Sequence, residues 1–405
     1  MLKRVMWLSL LALVGTGIST AQLCTTSHQT DLYCLIPAAF HTTSNPFNAF
    51  YTPFGTELSQ LPTARPAGLI LGYDNGVLKP TNENLGAIFT ERSDVLGRHR
   101  VFLGFTYQRF GFTSIDGNGL RNLPIILTCY LTAGNQCLPA STSDTNTVYT
   151  ISQDRIDLKA NQYVILGAIG ITNRIDVSVS IPFEWVSMSA AVNATEFNVD
   201  NGASAKFNEY VPGSSSGIGD VVIGGKGSLF KGEKFRLAAG VDIRVPSGDE
   251  LNFLGSGTVG VSPYLAASYH GRISPRANIG YQWNGDSILN ATARGTKQQL
   301  PTDFFYTFGA QISAFRRLDF IADLLGQHFF DAPRLSSPKP FPIQNFGSPL
   351  TMEPFTGSYT TNNLSLGVKG VPFRHFVLTG NVLVKLDNGG LRAKIAPLAG
   401  ISYSF

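Results

Sequence analysis

The side chains able to do chemistry are thinly spread along this sequence. The six histidines are His28, His41, His99, His270, His328 and His375. None stands in a metal-binding spacing such as H-x-x-x-H, and no pattern singles out a serine nucleophile with a histidine base. The stretch "GIGDVVIGGKG" (217–227) is glycine-rich, but it reads as a strand and not as a phosphate loop between strand and helix. The four cysteines form two local pairs, Cys24/Cys34 and Cys129/Cys137. Their spacing fits no zinc motif, and in an oxidising compartment it reads as two short-loop disulfides, with four free thiols as the alternative. No catalysis, metal or cofactor is expected.

Isolated charges carry more information. Read with a period of two, Lys226, Asp242, Arg244, Arg276, Asp319, Asp323 and Lys369 share the polar face of their segments. Asp157, Lys159, Asp176, Glu184, Arg236, Lys385, Arg392 and Lys394 are placed on that face by the same count. Two readings stand side by side. The charges pair across strands and stiffen a filled interior, or they form a polar constriction that selects solutes by size and charge. Lys226, Asp242 and Arg244, on adjacent segments, are the strongest candidates for either. Phe102, Phe110, Tyr163, Tyr264 and Phe305 are expected on the same face, as an apolar track for aromatic solutes or as packing.

The elements that must position these residues are long and alternating. From about residue 100 the segments 100–112, 154–170, 175–190, 218–230, 235–247, 257–269, 275–287, 303–315, 318–330, 361–372, 375–387 and 391–405 each alternate apolar and polar or small residues. They run about 11 to 17 residues, against a usual five or six for a strand. Tight connections at 171–174, 231–234, 270–274, 316–317 and 374–375 take turns with long ones at 113–153, 192–216, 288–302 and 331–360. Short turns at one end and long loops at the other describe a closed transmembrane antiparallel β-barrel of about twelve strands, all-β in class. A one-residue slip would carry Asp242 and Arg244 into lipid, so the register is tightly specified. Residues 22–99 fit this rhythm poorly. They are expected to be an irregular N-terminal segment in or under the lumen, or to add a hairpin that makes fourteen strands.

The two ends of the chain agree with export. "MLKRVMWLSLLALVGTGISTAQ" has a basic start, a short apolar run and a small-residue end, the layout of a signal peptide over residues 1–21. No later run of about 18 apolar residues offers a membrane helix. Charged residues make up 14%, below the roughly 25% of soluble domains, and the net charge of +4 gives no sign of a nucleic-acid partner. Basic residues gather at the tight turns (Arg98, Arg100, Arg174, Lys231, Lys234, Arg272, Arg316, Arg317 and Arg374), where they would meet lipid headgroups. The chain ends "ISYSF", with Ile401, Tyr403 and Phe405 on one face.

Three stretches resemble a family of outer-membrane barrels named after the meta-pathway of phenol degradation. They are "LGRHRVFLGFTYQRFGFTSIDG" (96–117), "ANQYVILGAIGITNRIDVSVSIPF" (160–183) and "SGIGDVVIGGKGSLFKGEKFRLAAGVDIRVPSGDE" (216–250). With "GSGTVGVSPYLAASY" (255–269) they spread the resemblance over most of the chain beyond residue 84. The chain is expected to be an exported, monomeric barrel in the outer membrane of a Gram-negative bacterium, and the stretches above are what the resemblance rests on. The resemblance implies passive passage of small hydrophobic or aromatic molecules. It also makes Ile401, Tyr403 and Phe405 the signal read by the barrel-assembly machinery. The alternative is a structural or surface-adhesion barrel whose long loops bind a partner.

Overall fold

The computed structural model describes residues 24, 31–40, 48–62, 71–74, 77–80, 89–131, 137–138, 147–271, 273–291, 296–315, 318–372 and 376–404. Residues 1–21, Phe405 and Arg272, Arg316, Arg317 and Arg374 lie outside these, as do the side chains of Cys129 and Cys137.

Period-two alternation closes into one sheet. Its strands are β1 (Val101–Ile115), β2 (Thr147–Gly170), β3 (Ile175–Asn198), β4 (Val221–Lys231), β5 (Phe235–Val245) and β6 (Gly260–Tyr269). They continue as β7 (Ile273–Asn284), β8 (Asp303–Phe315), β9 (Leu318–Leu335), β10 (Pro354–Gly370), β11 (Phe376–Lys385) and β12 (Ile395–Ser404). Each pairs antiparallel with its sequence neighbour, and β12 returns to β1 with Ile401 opposite Phe105 and Tyr403 opposite Leu103. This is a closed twelve-stranded antiparallel barrel. Residues 71–74 and 77–80 pair with each other and not with the barrel, so no fourteenth strand is made among the described residues.

The outer face carries an apolar belt with aromatic borders, as lipid requires. At the long-loop border, Tyr107 and Tyr163 sit 4.9 Å apart by ring centroids, and Trp185 and Trp283 are half exposed. At the short-turn border stand Phe230, Phe235, Tyr269 and the Phe376–Tyr403 pair. On β3 the belt runs from Ile175 to Trp185. Ten steps of about 3.3 Å, tilted about 40°, give roughly 25 Å of height, the thickness of an outer-membrane belt.

Beyond that border the sheet does not stop. β2 and β3 continue to Thr147 and Asn198, and strands at 123–131 and 204–218 pair along them. Parts of the expected long loops 113–153, 192–216 and 331–360 are therefore sheet. Polarity inverts here. Ile156, Leu158 and Ala160 on β2 and Val186, Met188, Ala190, Val192 and Ala194 on β3 point inward and are buried. Outward come Asp157, Lys159, Ser187 and Asn193. Asp157 pairs with Arg155 at 3.0 Å on the outer surface. Asp157 and Lys159 were expected inward. The count slipped because apolar residues face lipid inside the belt and face the core above it.

What fills that upper interior is the N-terminal segment. Cys24 and Cys34 are joined by a disulfide. Helices α1 (Leu35–Ala39) and α2 (Asn48–Leu58) place Leu35, Ile36, Phe40, Phe54 and Leu58 in one apolar core with Phe110, Ile156, Val192, Leu289 and Leu335. Each such side chain, taken from water, contributes about 1.5–3 kcal/mol. Pro53 lies inside α2, and the Thr56 hydroxyl donates back to the Thr52 carbonyl at 2.8 Å.

Candidate functional site

Below α2 the interior changes character. Residues 89–96 run through the lower barrel as an extended strap, held by wall side chains from six strands or their ends. The Thr90 hydroxyl donates to Asp323 of β9 at 2.9 Å. The Glu91 N–H donates to Asn278 of β7 at 2.6 Å, and the Asn278 amide donates back to the Glu91 carbonyl at 2.9 Å. Lys226 of β4 reaches Glu91 at 2.6 Å and the Arg92 carbonyl at 3.0 Å. The Ser93 N–H meets Ser268 of β6 at 3.2 Å. Asp94 is bound by Arg236 of β5 and by His270 Nε2 at 3.0 Å, just past β6. The Leu96 N–H donates to Asp176 of β3 at 2.7 Å.

Asp94 shows how far this clamp controls charge. Burial alone would raise its pKa. The His270 hydrogen bond and the positive charges of Arg92, His270 and Arg236 outweigh burial and hold the carboxyl well below the usual range. In the upper core the balance is opposite. Burial pushes Glu57 of α2 well above the carboxylate range, with Arg392 only partly opposing it.

Between α2 and the strap lies a cavity of about 270 Å³. Ser59, Gln60 and Leu61 roof it, and Phe89, Glu91 and Asp94 bound it on the strap side. Of the charges expected to form a constriction, Lys226, Asp242 and Arg244 line it. Arg244 donates to Asn284 at 2.7 Å and to the Ser59 carbonyl at 3.0 Å, and lies 3.7 Å from Asp220. It therefore ties wall to roof. Arg276, Asp319, Asp323 and Lys369 also point inward but do not line the cavity. They form a buried cluster: Arg276 donates to Gln311 at 3.0 Å, Gln311 donates to Asp319, and Asp319 faces Lys369 directly across β9 and β10.

The expected aromatic track divides in the same way. Phe102, Tyr264 and Phe305 line the cavity. Tyr264 lies over Gly240 and Phe305 over Gly280, each on the neighbouring strand, where any Cβ would overlap the ring. Phe110 instead stacks on Phe112 in the upper core, with centroids 6.0 Å apart. Tyr163 is a correction: it lies on the outer face between Phe105 and Tyr107, at the belt border. Its strand alternates as expected, but the aromatic ring belongs to the side that meets lipid.

The strap itself was not singled out from the sequence. Its signal is the charge-dense run "FTERSDVL" (89–96) just before the first barrel strand, but its partners are 80 to 233 residues away along the chain. Among the described residues no group of three or more His, Cys, Asp or Glu is arranged to hold a metal ion.

A closed twelve-stranded barrel with a lipid-facing belt and a polar, partly filled interior is a transmembrane β-barrel. The family resemblance read from the sequence is met across residues 141–328, which match the family model described as "Putative MetA-pathway of phenol degradation". No curated protein matches the chain. Among solved structures, an outer membrane channel from Pseudomonas putida F1 is similar at 12% identity and a TM-score of 0.47, over 77% of this chain and 98% of that one. A mutant of the TodX monoaromatic hydrocarbon channel is similar at 9% identity and a TM-score of 0.35, over 85% and 98%. A Pseudomonas aeruginosa FadL homologue is similar at 10% identity and a TM-score of 0.33, over 85% and 97%.

Proposed function

We propose that this protein is an outer-membrane channel passing small, hydrophobic or aromatic molecules through a narrow lumen. The observation that carries the reading is the cavity of about 270 Å³ inside a closed, lipid-belted barrel, walled by Phe102, Tyr264 and Phe305 beside Lys226, Asp242 and Arg244. A cavity of that size takes one small ring compound and little more. In this reading residues 1–21 are a signal peptide, 22–99 are a luminal segment and 100–405 are the barrel. Ile401, Tyr403 and Phe405 serve the assembly machinery, and the barrel works as a monomer without cofactor or catalysis. The short turns face the periplasm. Passage requires the strap or the roof to move, and the strap, held by polar contacts, is the more easily displaced.

Single-channel conductance of the refolded protein in planar bilayers tests the reading, with the Asp242→Asn/Arg244→Gln double variant as control. Steady conductance whose ion preference changes in the variant supports a channel with these residues on the path. Silent bilayers, together with no uptake of a small aromatic solute into vesicles containing folded protein, would count against it.

One observation favours a structural or adhesion barrel instead. The upper interior is filled by α1 and α2, and the upper ends of the strands are tied together: Arg334 of β9 bonds Asp116, just past β1, at 2.8 Å and covers the rings of Phe355 and Tyr359 of β10 at 5.4 and 5.2 Å. Binding of the folded protein to a surface partner, lost on cutting 331–360 but without any solute uptake, would select that reading.

A further inference from the structure

The cavity's polar groups are not evenly matched. Of the carboxylates lining it, Asp176 takes the Leu96 N–H at 2.7 Å, and three meet cations: Glu91 meets Lys226, Asp94 meets Arg236 and His270, and Asp220 lies 3.7 Å from Arg244. Glu184 of β3 does not. Among the described residues it has one bond, from the Gln162 amide at 3.1 Å, and no ion pair. It lines the cavity beside the hydroxyl-bearing Ser178 and Ser180.

A second group there also lacks a partner. Gln60 lines the roof and is only 9% exposed, and among the described residues neither its Oε1 nor its Nε2 has a hydrogen-bond partner. Native proteins seldom leave a whole buried carboxamide unpaired. Tyr264 and Phe305 stand three and five strands further round from Glu184, on β6 and β8.

These features discriminate between solutes. A plain hydrocarbon covers the aromatic wall but removes water from Glu184 without replacing its hydrogen bonds, and it leaves Gln60 unpaired. A carboxylate meets Glu184 as a like charge. A ring bearing a hydrogen-bond donor satisfies both walls, and a protonated amine adds attraction to Glu184 and to the aromatic faces. Resting on the channel reading above, we infer that the cavity selects small aromatic molecules carrying a hydrogen-bond donor, protonated amines above neutral hydroxyls, and rejects aromatic carboxylates. Glu184 sets that preference and Gln60 supports it.

The test uses four probes of similar size on the refolded full chain at pH 8: benzylamine, benzyl alcohol, toluene and phenylacetate. Equilibrium binding is measured by calorimetry, with folding checked by heat-modifiable gel mobility. The expected order is benzylamine, benzyl alcohol, toluene, phenylacetate. Glu184→Gln is expected to lower the benzylamine-to-toluene affinity ratio at least tenfold. If that variant does not refold, Gln60→Leu is expected to lower the benzyl alcohol-to-toluene ratio several-fold. Phenylacetate binding as well as benzylamine would overturn the inference, as would ratios unchanged in the variants. In those cases toluene still binds and the channel reading stands. Binding of none of the probes would overturn both.

Discussion

The two halves of the barrel interior are filled by the same N-terminal segment but by different forces. The upper half is a dry apolar core, with α1 and α2 packed on Ile156, Val192 and Leu335. The lower half is a polar clamp, with Glu91 on Lys226 and Asp94 on Arg236 and His270. The upper core resembles a soluble domain set inside a tube. The clamp leaves open space beside it, the lower half gains its order from directional bonds, and such bonds can be broken one at a time. The contrast locates rigidity above and adjustability below.

The largest effect is expected in the upper core. Phe54→Ala removes a side chain that is 2% exposed and should destabilise the folded barrel by about 3–5 kcal/mol. Chemical denaturation in detergent or lipid would read this. An effect below about 1 kcal/mol would mean α2 adds little to the fold, and the contrast would fail.

Asp94→Asn is next. It leaves Arg236 facing a neutral group, for an expected loss of about 3 kcal/mol in strap anchoring. Protease access to residues 89–96 should rise while α2 stays protected. Equal loosening of both would show that the two regions act as one.

Cys34→Ser opens the disulfide to Cys24, which closes a short loop of sequence separation 10. The expected cost is about 2–3 kcal/mol. Loss should be confined to α1 and the upper core, read by hydrogen exchange of 31–40.

The smallest effects come from pH, and here the two halves should move in opposite directions. Asp94 has a depressed pKa, set by Arg92, Arg236 and His270. Its stabilisation is complete above the ordinary carboxylate value of about 4 and is lost as pH falls below it. Glu57 has a pKa raised by burial and by Asp116, against the opposing charges of Arg392 and Arg334. Its site is most stable at low pH, and stability declines as pH rises from about 4 toward the raised value. Hydrogen exchange of 89–96 and of 52–60, corrected for its intrinsic pH dependence, would show the strap loosening in acid and α2 loosening toward alkaline pH. The same trend in both segments would break the comparison.

The legible part of this protein is its wall. Phe235, Val241, Ile243 and Val245 alternate with Arg236, Asp242 and Arg244, and the structure places the first set on lipid and the second inside. Twelve segments found by that rhythm are the twelve barrel strands. The rhythm misled at the belt border, where Tyr163 was put inside, and above it, where Asp157 was. Alternation names two faces, but which face is the core depends on height relative to the membrane, and height is not written in a two-residue period.

The interior was much less legible. Lys226 could be read as inward but not as the partner of Glu91, and Glu184 not as a lining carboxylate without a cation. Local sequence determined the strands, their faces and their order around the barrel, because backbone pairing and lipid act on neighbouring residues. Only the tertiary structure decided what fills the tube. Thr90 and Asp323 meet across 233 residues, and such a contact exists only once the barrel has closed and brought the far wall within reach of the strap.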